Sequence, residues 1–135
     1  MKIGEVARRV GIPIDTVRHY ERNGLLLPPA RRASGYRDYR DCDIARLNFV
    51  LRAKALGFTL VEIGELLQLS DAAEGDMVDI KSLAASKLAD IEQRIEHLGR
   101  IRDALRGLVE ACPGQGHVSG CPIRSALLDL PEPSR

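Results

Sequence analysis

Residues 79–111 carry an apolar series that few folds can satisfy. Ala84, Leu88, Ile91, Ile95, Leu98, Leu105, Val109 and Cys112 follow one another in alternating steps of four and three. The single gap falls on Arg102, with Ile101 beside it. Apolar residues at that period form one seam along an α-helix, the pattern of a coiled coil. At 1.5 Å per residue the helix runs to roughly 50 Å. A lone helix of that length cannot bury its stripe, so a partner helix is required. The 135 residues hold three Tyr, two Phe and no Trp, which limits the size of any one core. Much of the apolar surface is therefore expected in helix–helix contacts.

The chain ahead of this helix is punctuated differently. Residues 3–10 (IGEVARRV) read as a short helix, broken at Gly11-Ile12-Pro13. A second runs from about Ile14 to Asn23, with Asp15 in its first turn and Gly24 at its end. Two short helices joined by a glycine-containing turn are a helix-turn-helix candidate. Ala7 is small enough for close crossing, Gly11 suits a left-handed turn, and Val10 and Val17 are expected to bury between the helices. The second helix then presents Asp15, Thr16, Arg18, His19 and Arg22 outward. Arg18 suits guanine or phosphate, and Thr16 suits phosphate.

Residues 25–40 (LLLPPARRASGYRDYR) read as a small β-hairpin, or wing, with turn signals at Pro28-Pro29 and Ser34-Gly35. Arg31, Arg32, Arg37 and Arg40 alternate there with Tyr36 and Tyr39, and both side-chain types donate to phosphate. Arg52 and Lys54 extend the same basic track. A third helix is expected over 43–56, capped by Asp41 or Asp43, with Ile44, Leu47, Val50 and Leu51 on one face. A fourth begins after Thr59, with Glu62 as its capping-box partner, and ends near Leu69. A solvated basic face would explain the arginines but not the helix-turn-helix spacing, so DNA is the better reading.

Charge follows the same division. Residues 1–69 hold 12 Lys/Arg against 8 Asp/Glu, and residues 70–135 hold 8 against 11, so the net +1 conceals a basic front and an acidic back. Met1-Lys2-Ile3-Gly4-Glu5 lacks the apolar core of a signal peptide, and no stretch approaches membrane-spanning length. A cytoplasmic protein with no membrane partner is expected. Thiols stay reduced there, and a close cysteine pair is more often metal-binding or redox-active than structural.

Such a pair closes the long helix. Cys112 and Cys121 flank a Gly/Pro loop that also holds His117. The cysteines stand nine positions apart across flexible chain that lets both sulfurs reach one ion, and thiolates suit soft metals such as Cu(I) and Zn. Cys112 lies on the heptad seam, so binding there can shift helix packing. Cys42, at the start of the third helix, reads as a buried or semi-buried spectator.

Several of these residues carry a family resemblance. Ile3-Gly4-Glu5-Val6-Ala7, Thr16-Val17-Arg18-His19-Tyr20-Glu21, Gly24-Leu25, Gly35-Tyr36-Arg37, Tyr39 and Arg52-Ala53-Lys54-Ala55-Leu56-Gly57-Phe58 stand in the order and spacing of the MerR family of transcription regulators. The resemblance extends through the cysteine loop to about Leu128. It implies a homodimer with winged helix-turn-helix domains and an antiparallel two-helix coiled coil. Family members bind a promoter palindrome and distort an over-long spacer so that RNA polymerase can use both promoter elements. By position, Arg18, Tyr20, Tyr36 and Arg37 become the first DNA contacts, followed by Thr16, His19 and Arg31.

The expected organisation is mainly α: a DNA-binding domain over 1–69 (helix-turn-helix about 3–23, wing about 25–40), a linker over 70–78, a dimerisation helix over 79–111, a metal-binding loop and short helix over 112–128, and a tail over 129–135. The resemblance makes Cys112 and Cys121 metal ligands. Members that sense divalent ions usually add a third cysteine from the start of the partner's long helix, and copper sensors usually have serine there. This chain has Met77, flanked by Asp76 and Asp79, and departs from both patterns. Two thiolates favour Cu(I) or Ag(I). Zn(II), Cd(II), Pb(II) or Hg(II) stays open if His117 and Asp76 or Asp79 complete the shell. Met77 reads as packing beneath the loop in preference to ligation, and His117 reads equally as an exposed loop residue. A thiol sensor of oxidants or electrophiles is a second reading. A zinc-dependent enzyme is a distant third, since no positioned acid, base or nucleophile pattern accompanies the cysteines.

Overall fold

Left-handed backbone at Gly11 turns the first helix into the second. The computed structural model describes residues 1–26, 30–31 and 37–129, apart from the side chains of 30, 31, 37 and 129. Helix α1 spans Ile3–Val10 and α2 spans Ile14–Arg22. Gly11 (φ 82°) donates its N–H to the Ala7 carbonyl at 2.8 Å, and Ile12 donates to the same oxygen at 3.1 Å. A residue with a Cβ would be strained at that φ. Ala7 and Val17 are buried as expected, whereas Val10 is only half-buried against the core.

Strands β1 (Ala30–Arg31) and β2 (Arg37–Asp38) pair antiparallel, Ala30 opposite Asp38 and Arg31 opposite Arg37. The expected turn at 34–35 and Tyr36 lie outside the described residues. Helix α3 spans Asp41–Ala55, starting two residues earlier than the sequence suggested. Neither aspartate is its N-cap. Asp43 stands one turn in and accepts the Arg40 backbone N–H at 2.8 Å. Leu47 and Val50 are fully buried, with Ile44 and Leu51 half-buried around them.

Helix α4 spans Leu60–Asp71 and begins with the expected reciprocal cap. Glu62 N donates to Thr59 Oγ1 at 3.2 Å, and Thr59 N donates to Glu62 Oε1 at 2.8 Å. Ile63, Leu66 and Leu67 meet Leu25, Leu26, Leu47 and Val50 in one core. Arg46 closes it from outside, donating to the Leu25 carbonyl and pairing with Asp71 at 2.6 Å.

Helix α5 spans Met77–Ala111, two residues longer at its start than expected, because Asp76 caps it by accepting the Val78 N–H at 3.0 Å. A 3₁₀ turn at Val118–Gly120 and helix α6, Pro122–Asp129, complete the described chain. Two compact units result, Met1–Lys87 and the residues from Leu88 onward. The first unit runs beyond the expected boundary at residue 69. It takes in the first turns of α5, where Leu83 packs against the core and Lys87 is buried. Among the described residues, no helix is long and apolar enough to cross a membrane.

Candidate functional site

Helix α2 offers a polar face. Asp15, Arg18, His19 and Arg22 are exposed and Thr16 is half-buried. The Arg18 guanidinium stands 3.9 Å from Asp15 Oδ1, a weak and exposed pairing that leaves its donors free to turn outward. Asn23 donates to the His19 carbonyl at 2.7 Å and fastens the end of the helix.

Two of the tyrosines are not on this face. Tyr20 was expected to touch DNA, but its side chain is 1% exposed and belongs to the core. Lys54 Nζ lies 3.5 Å from its hydroxyl and 5.8 Å from its ring centroid, so Tyr20 supports a cation on α3. Tyr39 is likewise buried. Its hydroxyl donates to Glu21 Oε2 at 2.7 Å and ties the residue after β2 to α2. Helical and strand periodicity cannot announce either role, because each partner comes from another element. Arg31 and Arg37 occupy opposed positions on the two strands.

The second unit brings the two cysteines together. Cys112 follows the last turn of α5 and donates its N–H to the carbonyls of Leu108 and Val109. Cys121 immediately precedes α6, with Pro122 at the first helical position, where a missing N–H costs nothing. Gly114 and Gly116, at φ 75° and 106°, fold the intervening chain back on itself. The sulfurs consequently lie 3.7 Å apart, both half-buried.

The Cys121 thiol is held below its ordinary pKa, first by the Arg124 backbone N–H. The Cys112 thiol, the Ile123 N–H and the Arg124 charge add to this, against the opposing effect of burial. A helix N-terminus stabilises thiolate in this way.

His117 faces a different task. Its Nδ1 caps the 3₁₀ turn by accepting the Ser119 N–H at 3.1 Å, and lies 2.9 Å from Ser119 Oγ. Accepting an N–H uses the Nδ1 lone pair and leaves the neutral ring's proton on Nε2. Asp76 is similarly engaged as the cap of α5, and Met77 is 86% exposed with no packing role in its own chain. Asp79 is exposed in the first turn of α5. Among the described residues, no three His, Cys, Asp or Glu side chains converge on one point. Cys42 is exposed rather than buried, because its position in the first turn of α3 faces outward.

A helix-turn-helix followed by a two-stranded wing and a long helix defines a transcription regulator of the winged-helix class. The description "MerR HTH family regulatory protein" fits residues 1–70, and "MerR, DNA binding" fits residues 44–108. The chain belongs to the MerR family. It is 42% identical over 127 residues to the uncharacterized HTH-type transcriptional regulator PA4778 of Pseudomonas aeruginosa PAO1, covering 94% of this chain and 96% of that one. The mercuric resistance operon regulatory protein of Bacillus cereus is 40% identical over 127 residues, with the same coverage. Among solved structures, PbrR691 from Ralstonia metallidurans CH34 in complex with lead(II) superposes with a TM-score of 0.86 at 31% identity, covering 94% of this chain and 98% of that one. The protein is therefore a DNA-binding transcription regulator and not an enzyme.

Proposed function

We propose that this protein is a cytoplasmic, metal-responsive activator of metal-efflux or resistance genes. It senses a thiophilic ion through Cys112 and Cys121. The observation that carries the reading is the 3.7 Å approach of the two sulfurs at the junction of two helices. A zinc–thiolate bond is about 2.3 Å long, so two sulfurs at that separation can share one ion of that size. The bound ion supplies a cross-link between the end of α5 and the start of α6. Similarity to a mercuric-resistance regulator and to a lead(II)-bound regulator supports metal as the signal.

A monovalent Cu(I) or Ag(I) ion matches the local donor set best. Two thiolates are present, and the Nδ1 atom of His117 is used as a cap. Divalent Hg(II), Pb(II), Cd(II) or Zn(II) is the second reading, favoured by those two relatives. Zn(II), Cd(II) and Pb(II) require further ligands, for which Met77, Asp76 and Asp79 of a second copy are the candidates, whereas Hg(II) accepts two thiolates alone.

The output is a homodimer on promoter DNA. Leu88, Ile95, Leu98, Leu105 and Val109 are 54–63% exposed along α5, and an antiparallel second α5 would cover them. Thr16, Arg18, His19, Arg31, Tyr36 and Arg37 contact the duplex, with Tyr20 acting from behind through Lys54. Residues 1–69 read DNA, 70–78 link, 79–111 dimerise, and 112–128 sense. Distortion of the promoter then presents both elements to RNA polymerase.

The test is a reporter and in vitro transcription titration with Cu(I), Ag(I), Zn(II), Cd(II), Pb(II) and Hg(II). Activation by Ag(I) or Cu(I) at the lowest free concentration is expected. Activation by a divalent ion alone would transfer the assignment to the second reading. Reversible activation by oxidant with no metal response would remove metal sensing altogether.

A further inference from the structure

A neutral imidazole has one nitrogen lone pair to offer, and in His117 the backbone already uses it. The Ser119 N–H points at Nδ1 from 3.1 Å, and Ser119 Oγ lies 2.9 Å from the same atom. A backbone N–H can only donate, so Nδ1 is the unprotonated nitrogen and the ring proton sits on Nε2. Coordination of an ion through Nε2 would move that proton to Nδ1. Coordination through Nδ1 would displace the Ser119 N–H. Either way the cap is lost, so capping the turn and binding an ion are exclusive tasks for this ring.

The residue that depends on the cap is Cys121. His117 opens the 3₁₀ turn Val118–Gly120, and Gly120 donates its N–H to the His117 carbonyl at 3.0 Å. Cys121 donates its own N–H to the Val118 carbonyl at 3.0 Å, and its carbonyl accepts the Ser125 N–H at 3.0 Å. Its backbone is thus held between the capped turn and the first turn of α6, with its sulfur 3.7 Å from Cys112 Sγ. Among the described residues, no third His, Cys, Asp or Glu side chain joins the two sulfurs.

We propose that His117 is a positioning residue and not a metal ligand: its Nδ1 cap holds Cys121 opposite Cys112 and keeps the imidazole out of the ion's shell. The inference rests on the sensor reading above and sharpens it to a site built on two sulfurs. An ion satisfied by two thiolates enters with the turn intact. An ion that recruits the imidazole as a further ligand has to unlatch the turn first, and that frees the backbone of Cys121. The free protein then spends less of its time in the arrangement that binds, which lowers the apparent affinity.

One substitution separates the two roles. Asn Oδ1 stands as many bonds from Cα as His Nδ1, and asparagine side chains accept from the N–H two residues on. His117→Asn therefore keeps the cap and removes Nε2, whereas His117→Ala removes both. His117 is exposed, so neither change empties a core. Silver(I) and zinc(II) affinities of the full-length protein are measured by competition titration. His117→Asn should bind each ion within about twofold of wild type, and His117→Ala should bind each roughly fivefold more weakly, the scale of one capping interaction. Zinc(II) or silver(I) affinity that falls as far in His117→Asn as in His117→Ala would make His117 a ligand and overturn the proposal. So would wild-type affinity in His117→Ala.

Metal-free protein supplies a readout that needs no ion. The ring nitrogen resonances of His117, recorded by NMR above the ordinary titration range of imidazole, should show the proton on Nε2. The same tautomer should persist when silver(I) is added. The amides of Ser119 and Cys121 should exchange faster in His117→Ala and at the wild-type rate in His117→Asn. A proton on Nδ1, a tautomer switch on adding silver(I), or unchanged exchange in His117→Ala each overturns the cap. If the wild type binds no metal at all, the sensor reading fails, and the metal-free spectra still decide what His117 does.

Discussion

Cys112 Sγ and Cys121 Sγ lie 3.7 Å apart, one at the end of α5 and the other at the start of α6. The approach depends on two left-handed glycines and on a proline that opens α6 without needing an N–H partner. Any ion shared by these sulfurs connects two helices instead of sitting on a passive loop.

Cys112→Ser and Cys121→Ser should each abolish metal-induced transcription. Operator affinity should change by less than about 0.5 kcal/mol, because neither thiol belongs to the unit that holds α2. Isothermal titration with silver(I) and gel-shift titration with operator DNA read the two effects separately. A loss of operator affinity matching that of Arg18→Ala would contradict the division between sensing and reading.

Arg18→Ala should weaken operator binding by about 1–3 kcal/mol if Arg18 reads a base, and relax selectivity at one position. If it holds only phosphate, the loss should be uniform across sequences, with a shallower salt dependence. Its guanidinium is exposed and only loosely paired to Asp15, so truncation should leave thermal stability within about 0.5 kcal/mol. Fluorescence anisotropy against substituted operators at two salt concentrations distinguishes these cases. Unchanged affinity on every duplex would remove Arg18 from the interface.

What the sequence made legible was whatever depended on residues a turn or two apart. The α1–Gly11–α2 turn, the Thr59–Glu62 cap and the apolar period of α5 all belong to that class. The pairing of Cys112 with Cys121 was legible too, because the loop between them is short and bends easily. The misses share a different cause. Tyr20 looked like a DNA contact from the family resemblance and Tyr39 because aromatic hydroxyls suit phosphate, yet both are buried, with partners on α3 and α2. Lys87 gave no signal at all, since Glu62 and Phe58, which lie against its buried ammonium, are some 25 residues or more away in sequence. Cys42 was misjudged because average burial of cysteine outweighed its place in an exposed first turn.

Tyr39→Phe should destabilise the first unit by about 1.5 kcal/mol or more, since the hydroxyl donates to a carboxylate in a partly buried setting. Operator affinity should fall with it, because Tyr39 directly follows β2 and fastens that strand to α2. Urea unfolding and anisotropy on the same preparation test the pair of effects. A variant as stable as wild type would mean that the hydroxyl bonds water equally well.

Leu98→Asp should convert a dimer to a monomer, because it sets a charge in the middle of the exposed stripe on α5. Sedimentation equilibrium reads the state directly, and operator affinity should collapse if two half-sites must be bound together. A wild type that sediments as a monomer at micromolar concentration would remove the coiled-coil partner from the reading.

Acid should weaken the α4–α5 connection before it unfolds the rest. The Glu62 carboxyl is lowered from its ordinary 4.5 to about 2, first by the hydrogen bond from Lys87, then by the Thr59 N–H. A carboxylate depressed in the folded state contributes stability that is complete above its unfolded value. That stability is lost as pH falls through the folded one, because the unfolded chain takes up the proton first. The contribution should therefore be flat above pH 4.5 and decline between there and about 2. Urea titrations of wild type and Glu62→Gln across that window isolate it. The two stabilities should differ most near neutrality and converge as the carboxylate is protonated. A difference that stays constant with pH would show that Glu62 owes its effect to packing alone and that its charge does not hold Lys87.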